Sequence, residues 1–228
     1  MIDLHGYLPF ILRGFAVTVE VALLSLLIAI VLGIGAAAAQ LSSSKIARLL
    51  AVAYSTLIRG VPDLVLMTLV FFGGQILLNR LGDAMGWEYI DVDPFVSGVL
   101  TIGFIFGAYM SETFRGAILA VPRGEIEAGR AFGMSGFTLF VRIILPASAR
   151  HALPGFGNNW LVLAKTTALV SVIGLHDMVH NAAQAGGAVR EPFTFYFVVA
   201  LLFLALTSVS ELLLKWTSQR VSAGVRRV

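Results

Sequence analysis

The segment VALLSLLIAIVLGIGAAAAQLSSS, residues 21–44, lies between Glu20 and Lys45 and contains no charged side chain. A helix needs about 20 mostly apolar residues to cross roughly 30 Å of hydrocarbon, so this segment is long enough to span a membrane. The whole chain agrees, because 58% of its 228 residues are hydrophobic, only 13% are charged and the mean hydropathy is +0.89. A soluble domain carries about twice that share of charge. The sequence therefore predicts an integral membrane protein and excludes a soluble domain, a disordered chain and, with no cysteine, a disulfide-rich scaffold.

Four further apolar stretches follow the first one along the chain. The five predicted spans cover about residues 15–40, 57–79, 94–114, 152–175 and 192–214. Together they predict an all-α integral membrane protein with a single transmembrane domain over residues 1–228. The fourth span is the least regular, because Pro154, Gly155 and Gly157 interrupt its start. We expect either a broken helix or a loop that enters the membrane at this point.

Basic residues are distributed unevenly over the predicted loops. Twelve of the 16 lysines and arginines fall on one side of the membrane, three fall on the other, and Lys165 lies inside a span. Because cytoplasmic loops carry the excess of Lys and Arg, this distribution predicts a periplasmic N-terminus and a cytoplasmic C-terminus. The net charge of +3 thus reflects topology, and no nucleic-acid-binding pattern accompanies it.

The longest predicted cytoplasmic loop covers about residues 115–150. Residues 125–132 have helix-forming composition, Gly133 is placed to end that helix, and Ser135 can cap a second helix that Pro146 stops. The two short helices carry more apolar residues than a solvated linker needs. Composition leaves two interpretations open, an interfacial helix lying on the membrane and a docking element for a cytoplasmic partner.

The spacing within this loop resembles the EAA loop in the permease subunits of bacterial ABC importers. The family pattern is E-A-A, three residues, G, nine residues and I-x-L-P, and the matching residues here are Glu127, Ala128, Gly129, Gly133, Ile143, Leu145 and Pro146. Gly129 is the one departure, and it keeps a small residue at that position. The resemblance implies that these seven residues couple the chain to an ATPase. It also implies the methionine-permease-like fold of type I importers, with a cytoplasmic coupling helix.

Further stretches are similar to the polar amino-acid permease family, and most of all to its Q-type subunits of histidine/lysine–arginine–ornithine importers. These stretches are TLIRGVPDLVLM (56–67), YIDVDPFVSG (89–98), GFIFGAYMSETFRGA (103–117), GNNWLVLAKTTALVSVIGL (157–175) and SAGVRR (222–227). The resemblance runs nearly end to end. It implies uptake of a basic amino acid (histidine, arginine, lysine or ornithine), or of a related opine, across the bacterial inner membrane.

The same resemblance implies a set of partners within the membrane and on both sides of it. They are a homologous M-type permease or a second copy of this chain, two cytoplasmic ABC ATPase subunits that bind ATP and Mg²⁺, and a periplasmic amino-acid-binding protein. A phosphate-binding P-loop needs Gly directly before Lys, whereas the three lysines here follow Ser44, Ala164 and Leu214. We therefore expect no catalytic residue and no cofactor in this chain, and ATP hydrolysis in a partner.

Three ionisable residues fall within predicted spans, where a charge is costly and by default marks a function. Asp63 lies about a turn into the second span, Glu112 lies in the inner part of the third, and Lys165 lies deep in the fourth, followed by Thr166. Acidic side chains could receive the cations of a basic amino acid, and a lysine or hydroxyl its carboxylate. These four residues are our candidates for the substrate pathway. The structural alternative is that Asp63 and Glu112 only pair with nearby arginines on the same helix.

Two other motifs have competing interpretations. His176-Asp177-x-x-His180 has the spacing of a zinc-protease helix, with Asp where Glu is usual. The two remaining histidines lie far away in sequence, so we expect no metal site. Gly103-x₃-Gly107 predicts close packing of two helices. Apart from an ABC permease, the chain could be a membrane scaffold whose loop binds another partner, or a secondary transporter, although no clear internal repeat supports the latter.

Overall fold

A computed structural model describes residues 4–221. The stretch 222–227, which contributed to the resemblance and to the count of basic residues, lies outside them. The described chain forms eight helices: α1 Leu8–Leu41, α2 Lys45–Gly60, α3 Asp63–Met85, α4 Pro94–Leu119, α5 Arg123–Ala131, α6 Gly136–Ile173, α7 Met178–Val189 and α8 Pro192–Val221. Helix α3 contains a π-helical turn, Leu69–Gly73. Helix α6 joins α-helix Gly136–Leu139, a π-helical turn Phe140–Ile144, α-helix Leu145–Thr166 and a 3₁₀ segment Thr167–Ile173.

Four helices, α1, α3, α4 and α8, are each long and apolar enough to cross a membrane. Helices α6 and α7 meet the same criteria as a pair, across a bend of 54°. The prediction of an all-α fold with five spans is thus confirmed, with the fourth span broken. Helix α1 has 34 residues, or about 51 Å at 1.5 Å per residue, so it extends beyond the hydrocarbon layer.

Helix α4 is the centre of the molecule. In its most apolar 18-residue window 67% of the residues are buried, against 11% for α3 and 17% for α8, so the outer helices present their leucines and phenylalanines away from the chain. Small residues let α1 and α4 approach closely. A Cβ at Gly103 would lie 2.7 Å from Cβ of Ile28, and one at Gly107 would lie 2.8 Å from Cβ of Leu32. The predicted packing role of these two glycines is therefore confirmed.

The start of the second span differs from the prediction. Residues 57–60 belong to α2, and the chain then runs extended through Val61 and Pro62 before α3 begins at Asp63. The reason is local, because a proline disfavours helical geometry in the residue that precedes it. Helix α2 is amphipathic, and it is too short and carries too many charges to cross a membrane. It is tied to α4 by the Tyr54 hydroxyl, which donates to the Phe104 carbonyl; burial raises the pKa of Tyr54 to about 12, so this donor keeps its proton.

The fourth span also differs from the prediction, at both of its ends. Pro146 does not stop a helix: it lies in the first turn of Leu145–Thr166, directly after the π-helical turn. A proline is tolerated in a first turn, and the wider π turn removes the clash that its ring would otherwise make with the preceding turn. Pro154 lies inside a continuous helix, so the expected break at 154–157 is wrong. The break comes later, where Gly174 adopts φ +87° after the 3₁₀ segment.

Helix α7 has no counterpart in the predicted spans. Its N-cap is Asp177, whose carboxylate accepts the backbone N–H of His180 at 2.8 Å. The helix packs against α1 and α8 around a second apolar cluster that includes Ile11, Met178 and Phe195.

Candidate functional site

Helix α5 is the central part of the loop that resembles an EAA motif. It begins after Pro122 and carries Glu125 in its first turn, where the helix dipole favours an acid. It ends at Ala131, and Gly133, with φ +75°, follows the C-cap Phe132. The helix begins two residues before the expected start and ends one residue before the expected end. The Ser135 cap is as expected, since its hydroxyl accepts the Thr138 N–H. The helix is a short, separate element held between two turns.

One face of α5 packs on the first turns of α6. Gly129 is buried, and a Cβ there would lie 2.5 Å from Cδ1 of Leu139 and 2.7 Å from Cδ1 of Ile143. A small residue at this position is what allows the contact. Behind it lies a cavity of about 470 Å³, lined by Ala128, Gly129, Ile143 and Pro146 among others. The structure therefore brings together four of the seven residues that the spacing singled out.

The opposite face of α5 points away from the chain. Glu127 is exposed and makes no hydrogen bond or ion pair within the described residues. Phe132, directly after the end of the helix, lies on the Gly129 side and lines the same cavity, yet it is 85% exposed; Phe137 of α6 is 79% exposed. Exposed aromatic rings are typical of an interaction surface, so the geometry fits a docking helix. An interfacial helix lying on lipid would bury the two rings in the membrane and leave Glu127 in water, so the exposed groups fit both interpretations and the choice between them depends on the resemblance of the loop.

Glu112 lies in a polar network that joins α1, α2 and α4. Its carboxylate accepts two hydrogen bonds from Arg115, the shorter of 2.7 Å, and a third of 3.1 Å from the Gln40 amide. The same amide lies 3.4 Å from Ser55 Oγ and 3.5 Å from Ser111 Oγ. The pairing with Arg115, which was the structural alternative for Glu112, is therefore present.

The other three pathway candidates stand apart from this network. Asp63 is the first residue of α3, half-buried, and forms no ion pair with Arg59 in the described part of the chain; the Arg59 guanidinium instead lies 5.5 Å from the centre of the Tyr109 ring. Lys165 is exposed on the surface of the chain, within the part of α6 that was predicted to be the fourth span. The Thr166 hydroxyl donates to the Val162 carbonyl 3.1 Å away, within its own helix.

Glu112 and Lys165 lie at different levels of the bundle. Asn159 of α6 donates a 3.0 Å hydrogen bond to Thr113, the neighbour of Glu112, so these three residues share one level. Lys165 lies six residues further along α6, or about 9 Å at 1.5 Å per residue. The structure thus does not bring the two charges together, and each needs its own test.

The two histidines of the zinc-protease-like motif lie side by side. Their rings are 4.7 Å apart and meet edge to face, and the acidic residue between them, Asp177, is fully buried as the cap of α7. No group of three or more His, Cys, Asp or Glu side chains in residues 4–221 could hold a metal ion. One carboxylate oxygen of Asp177 is thus engaged in capping α7.

Gln40, Ser55 and Asn159 are functional candidates that the sequence analysis missed. Gln40 had a signal, since it is the one amide in the otherwise apolar run 21–41. Ser55 and Asn159 had none, because their roles depend on which helix each one faces.

Comparison with known proteins agrees with this geometry. Residues 29–223 match the family described as binding-protein-dependent transport system inner membrane component. The histidine/lysine/arginine/ornithine transport system permease protein of Salmonella typhimurium is 50% identical over 98% of each chain. The octopine transport system permease protein of Rhizobium meliloti is 42% identical over 95% of this chain and 92% of its own.

Solved structures give the same result for the fold. The crystal structure of an amino acid ABC transporter with histidines has a chain with a TM-score of 0.83 and 29% identity, covering 94% of this chain and 95% of its own. The inward-facing MetNI methionine ABC transporter has a chain with a TM-score of 0.74 and 16% identity, and the match covers 93% of this chain and 96% of that one. The methionine-permease-like, type I importer fold is thus confirmed. The chain belongs to the binding-protein-dependent transport system inner membrane components, and it is a multi-pass permease subunit of an ABC importer.

Proposed function

We propose that this permease carries basic amino acids inward across the bacterial inner membrane. The observation that carries the proposal is the 50% identity, over nearly the whole of both chains, to a permease named for histidine, lysine, arginine and ornithine. The second candidate cargo is an opine, because the octopine permease is 42% identical over a similar length. Both cargoes have an amino-acid backbone, so the same pathway is compatible with either.

Helix α5 is the proposed contact with the ATPase. Its free Glu127 and exposed Phe132 present a charged and an apolar group on one short element, and Gly129 fixes that element against α6. Because α5 is packed against α6, a movement of the ATPase would be passed to α6 and, through Asn159 and Thr113, to α4. The proposed assembly contains a homologous M-type permease or a second copy of this chain, two ATPase subunits that supply ATP and Mg²⁺, and a periplasmic binding protein.

The proposed orientation puts the N-terminus in the periplasm and α5 in the cytoplasm. The uneven distribution of basic residues supports it. The chain has no cysteine, so single cysteines can be introduced without background. We expect a membrane-impermeant maleimide to label Glu88→Cys in intact spheroplasts but to label Gly124→Cys only after lysis. The opposite pattern would overturn the orientation without affecting the family assignment.

Uptake by the reconstituted complex tests the cargo. The permease is assembled with its partners in proteoliposomes, and ATP-dependent uptake of labelled arginine, lysine, histidine, ornithine and octopine is compared. Saturable uptake of the basic amino acids supports the proposal, while uptake of octopine alone supports the second candidate. A chain that binds no ATPase and carries neither would instead be a scaffold.

A matched pair of variants tests the coupling role of α5. Glu127→Gln removes an exposed carboxylate of α5, and Glu88→Gln removes one from the loop on the other predicted side. We expect the first variant to reduce binding-protein-stimulated ATP hydrolysis and uptake together, and the second to leave both near the level of the unmodified protein. Equal behaviour of the two would argue against docking through Glu127.

A further inference from the structure

Three arginines surround a groove between α1, α2 and α4. Arg48, Arg59 and Arg115 line a space of about 450 Å³, and Glu112 is its one acidic lining residue, so the formal charge of the lining is +2. Arg115 is neutralised by Glu112 at 2.7 Å, while Arg48 and Arg59 have no carboxylate partner within the described residues. Two guanidinium groups are thus available to an anion.

The floor of the groove is polar and held in place. Gln40 is 7% exposed and Ser55 is 3% exposed, and the Gln40 amide donates to Glu112 and lies within hydrogen-bond distance of Ser55. These contacts join three helices, so the groove keeps its shape when its mouth is empty. A preformed site loses less entropy when it binds a ligand.

Helix α2 has its apolar face on the outside. Ile46, Leu49, Leu50 and Leu57 are between 65% and 73% exposed, whereas Arg48, Ser55, Thr56 and Arg59 of the same helix line the groove. A helix on a water-soluble protein would turn its apolar side inward. The outer face of α2 therefore needs an apolar environment such as lipid acyl chains.

The groove lies at the ends of the helices that form it. Gln40 is followed by Leu41, the last residue of α1, and Arg115 lies four residues, or about 6 Å, before the end of α4. A bilayer places its headgroups at this level. A polar groove at headgroup depth thus lies behind a helix whose outer face is apolar.

We propose that this groove binds the phosphodiester headgroup of an anionic phospholipid, whose acyl chains run along the exposed face of α2. Guanidinium groups pair with phosphate oxygens through two parallel hydrogen bonds, and basic pockets between spanning helices take such headgroups. A small polar solute with a carboxylate would account for the arginines alone and would make no use of the apolar face of α2 beside them. A phospholipid accounts for both features.

Retention of lipid by the purified permease complex tests the proposal. The complex is reconstituted with phosphatidylcholine and increasing phosphatidylglycerol, extracted, and analysed by native mass spectrometry. Each basic side chain near an anionic headgroup contributes about a fivefold gain in affinity, so we expect Arg48→Gln/Arg59→Gln to retain phosphatidylglycerol roughly 25-fold less well. Arg48→Lys/Arg59→Lys, which keeps the charge and loses the paired geometry, should retain it at an intermediate level.

The control removes two positive charges elsewhere. Lys215→Gln/Arg220→Gln changes the end of α8, where Lys215 already pairs with Glu211 and Arg220 stacks on Trp216, and we expect lipid retention as in the unmodified chain. Equal losses in the two double variants would overturn the proposal, since binding would then reflect overall charge. Displacement of the lipid by inorganic phosphate alone would overturn it as well, because the groove would then be a site for a free anion. Size-exclusion chromatography of each complex shows that the variants are assembled when lipid is measured.

Discussion

The contact between α1 and α4 gives a quantitative prediction for two glycines on the same helix. A Cβ added at Gly33 would lie 2.5 Å from Cβ of Met110 and 3.2 Å from its carbonyl carbon, whereas one added at Gly35 would meet nothing within 4 Å. Carbon atoms prefer to be about 3.5–4.0 Å apart, and Met110 is fully buried. Because Cβ is fixed to the backbone, Gly33→Ala must push α1 and α4 apart by about 1 Å.

The two substitutions share one favourable effect and differ in one unfavourable effect. Alanine improves helix propensity over glycine by about 1 kcal/mol at either position. Overpacking a tight core costs about 1–3 kcal/mol, and only Gly33→Ala incurs it. The free energy of unfolding of the two variants should therefore differ by about 1–3 kcal/mol, with Gly35→Ala the more stable.

Thermal denaturation of the purified permease complex provides the measurement. For chains of this length a change of 1 kcal/mol in the free energy of unfolding shifts the melting temperature by about 2–4 °C. We therefore expect Gly33→Ala to melt about 2–12 °C below Gly35→Ala. Gly35→Ala should melt at or slightly above the unmodified protein. Equal melting temperatures for the two variants would show that α1 and α4 are not in the close contact described here.

Three other predictions address the site. Gly133→Ala places a side chain at φ +75°, which costs about 1–2 kcal/mol, and should weaken the coupling of ATP hydrolysis to uptake. Gly136→Ala is the control, because Gly136 has an ordinary backbone angle with open space around it, and it should leave the coupling unchanged. Glu112→Gln and Lys165→Gln, measured separately for uptake and stimulated ATPase activity, should each reduce transport; unmodified uptake in both would remove these two charges from the pathway. Asp177→Ala removes the cap of α7, so the complex should lose about 1 kcal/mol of stability, and zinc analysis before and after the change should give the same metal content.

The spans could be predicted from the sequence because a helix that crosses lipid needs about 20 mostly apolar residues, and such runs can be counted directly. The uncharged run 21–44 and the proline-led starts at Pro94 and Pro192 are examples, and α4 and α8 begin at those two prolines. Helix α2 could not be found in this way. It carries Lys45, Arg48 and Arg59, and its apolar residues cover one face only. Its average hydropathy is therefore too low to identify it as an apolar segment.

The prolines and the buried charges show where local patterns fail. Pro146 looks like a helix end, yet a π-helical turn before it lets the helix continue, and only the surrounding packing decides between the two. Lys165 has apolar neighbours in sequence, but those neighbours face inward while Lys165 faces out. Depth along a span can be estimated from sequence, whereas the direction in which a side chain points depends on which helices flank it.

The seam between α1 and α7 has a consequence for how the protein is made. Thr18 of α1 accepts the backbone N–H of Met178 across 160 residues of chain, and Gly14 lies so close to Asp177 that a Cβ would come within 2.6 Å of its carbonyl oxygen. At about 5–20 residues per second of synthesis, roughly 8–32 seconds pass between the appearance of these two partners. The first helix to reach the membrane therefore waits, with its glycine face uncovered, for one of the last helices to be translated. Until α7 arrives, the Thr18 hydroxyl and the Gly14 surface lack the partners that cover them in the folded chain.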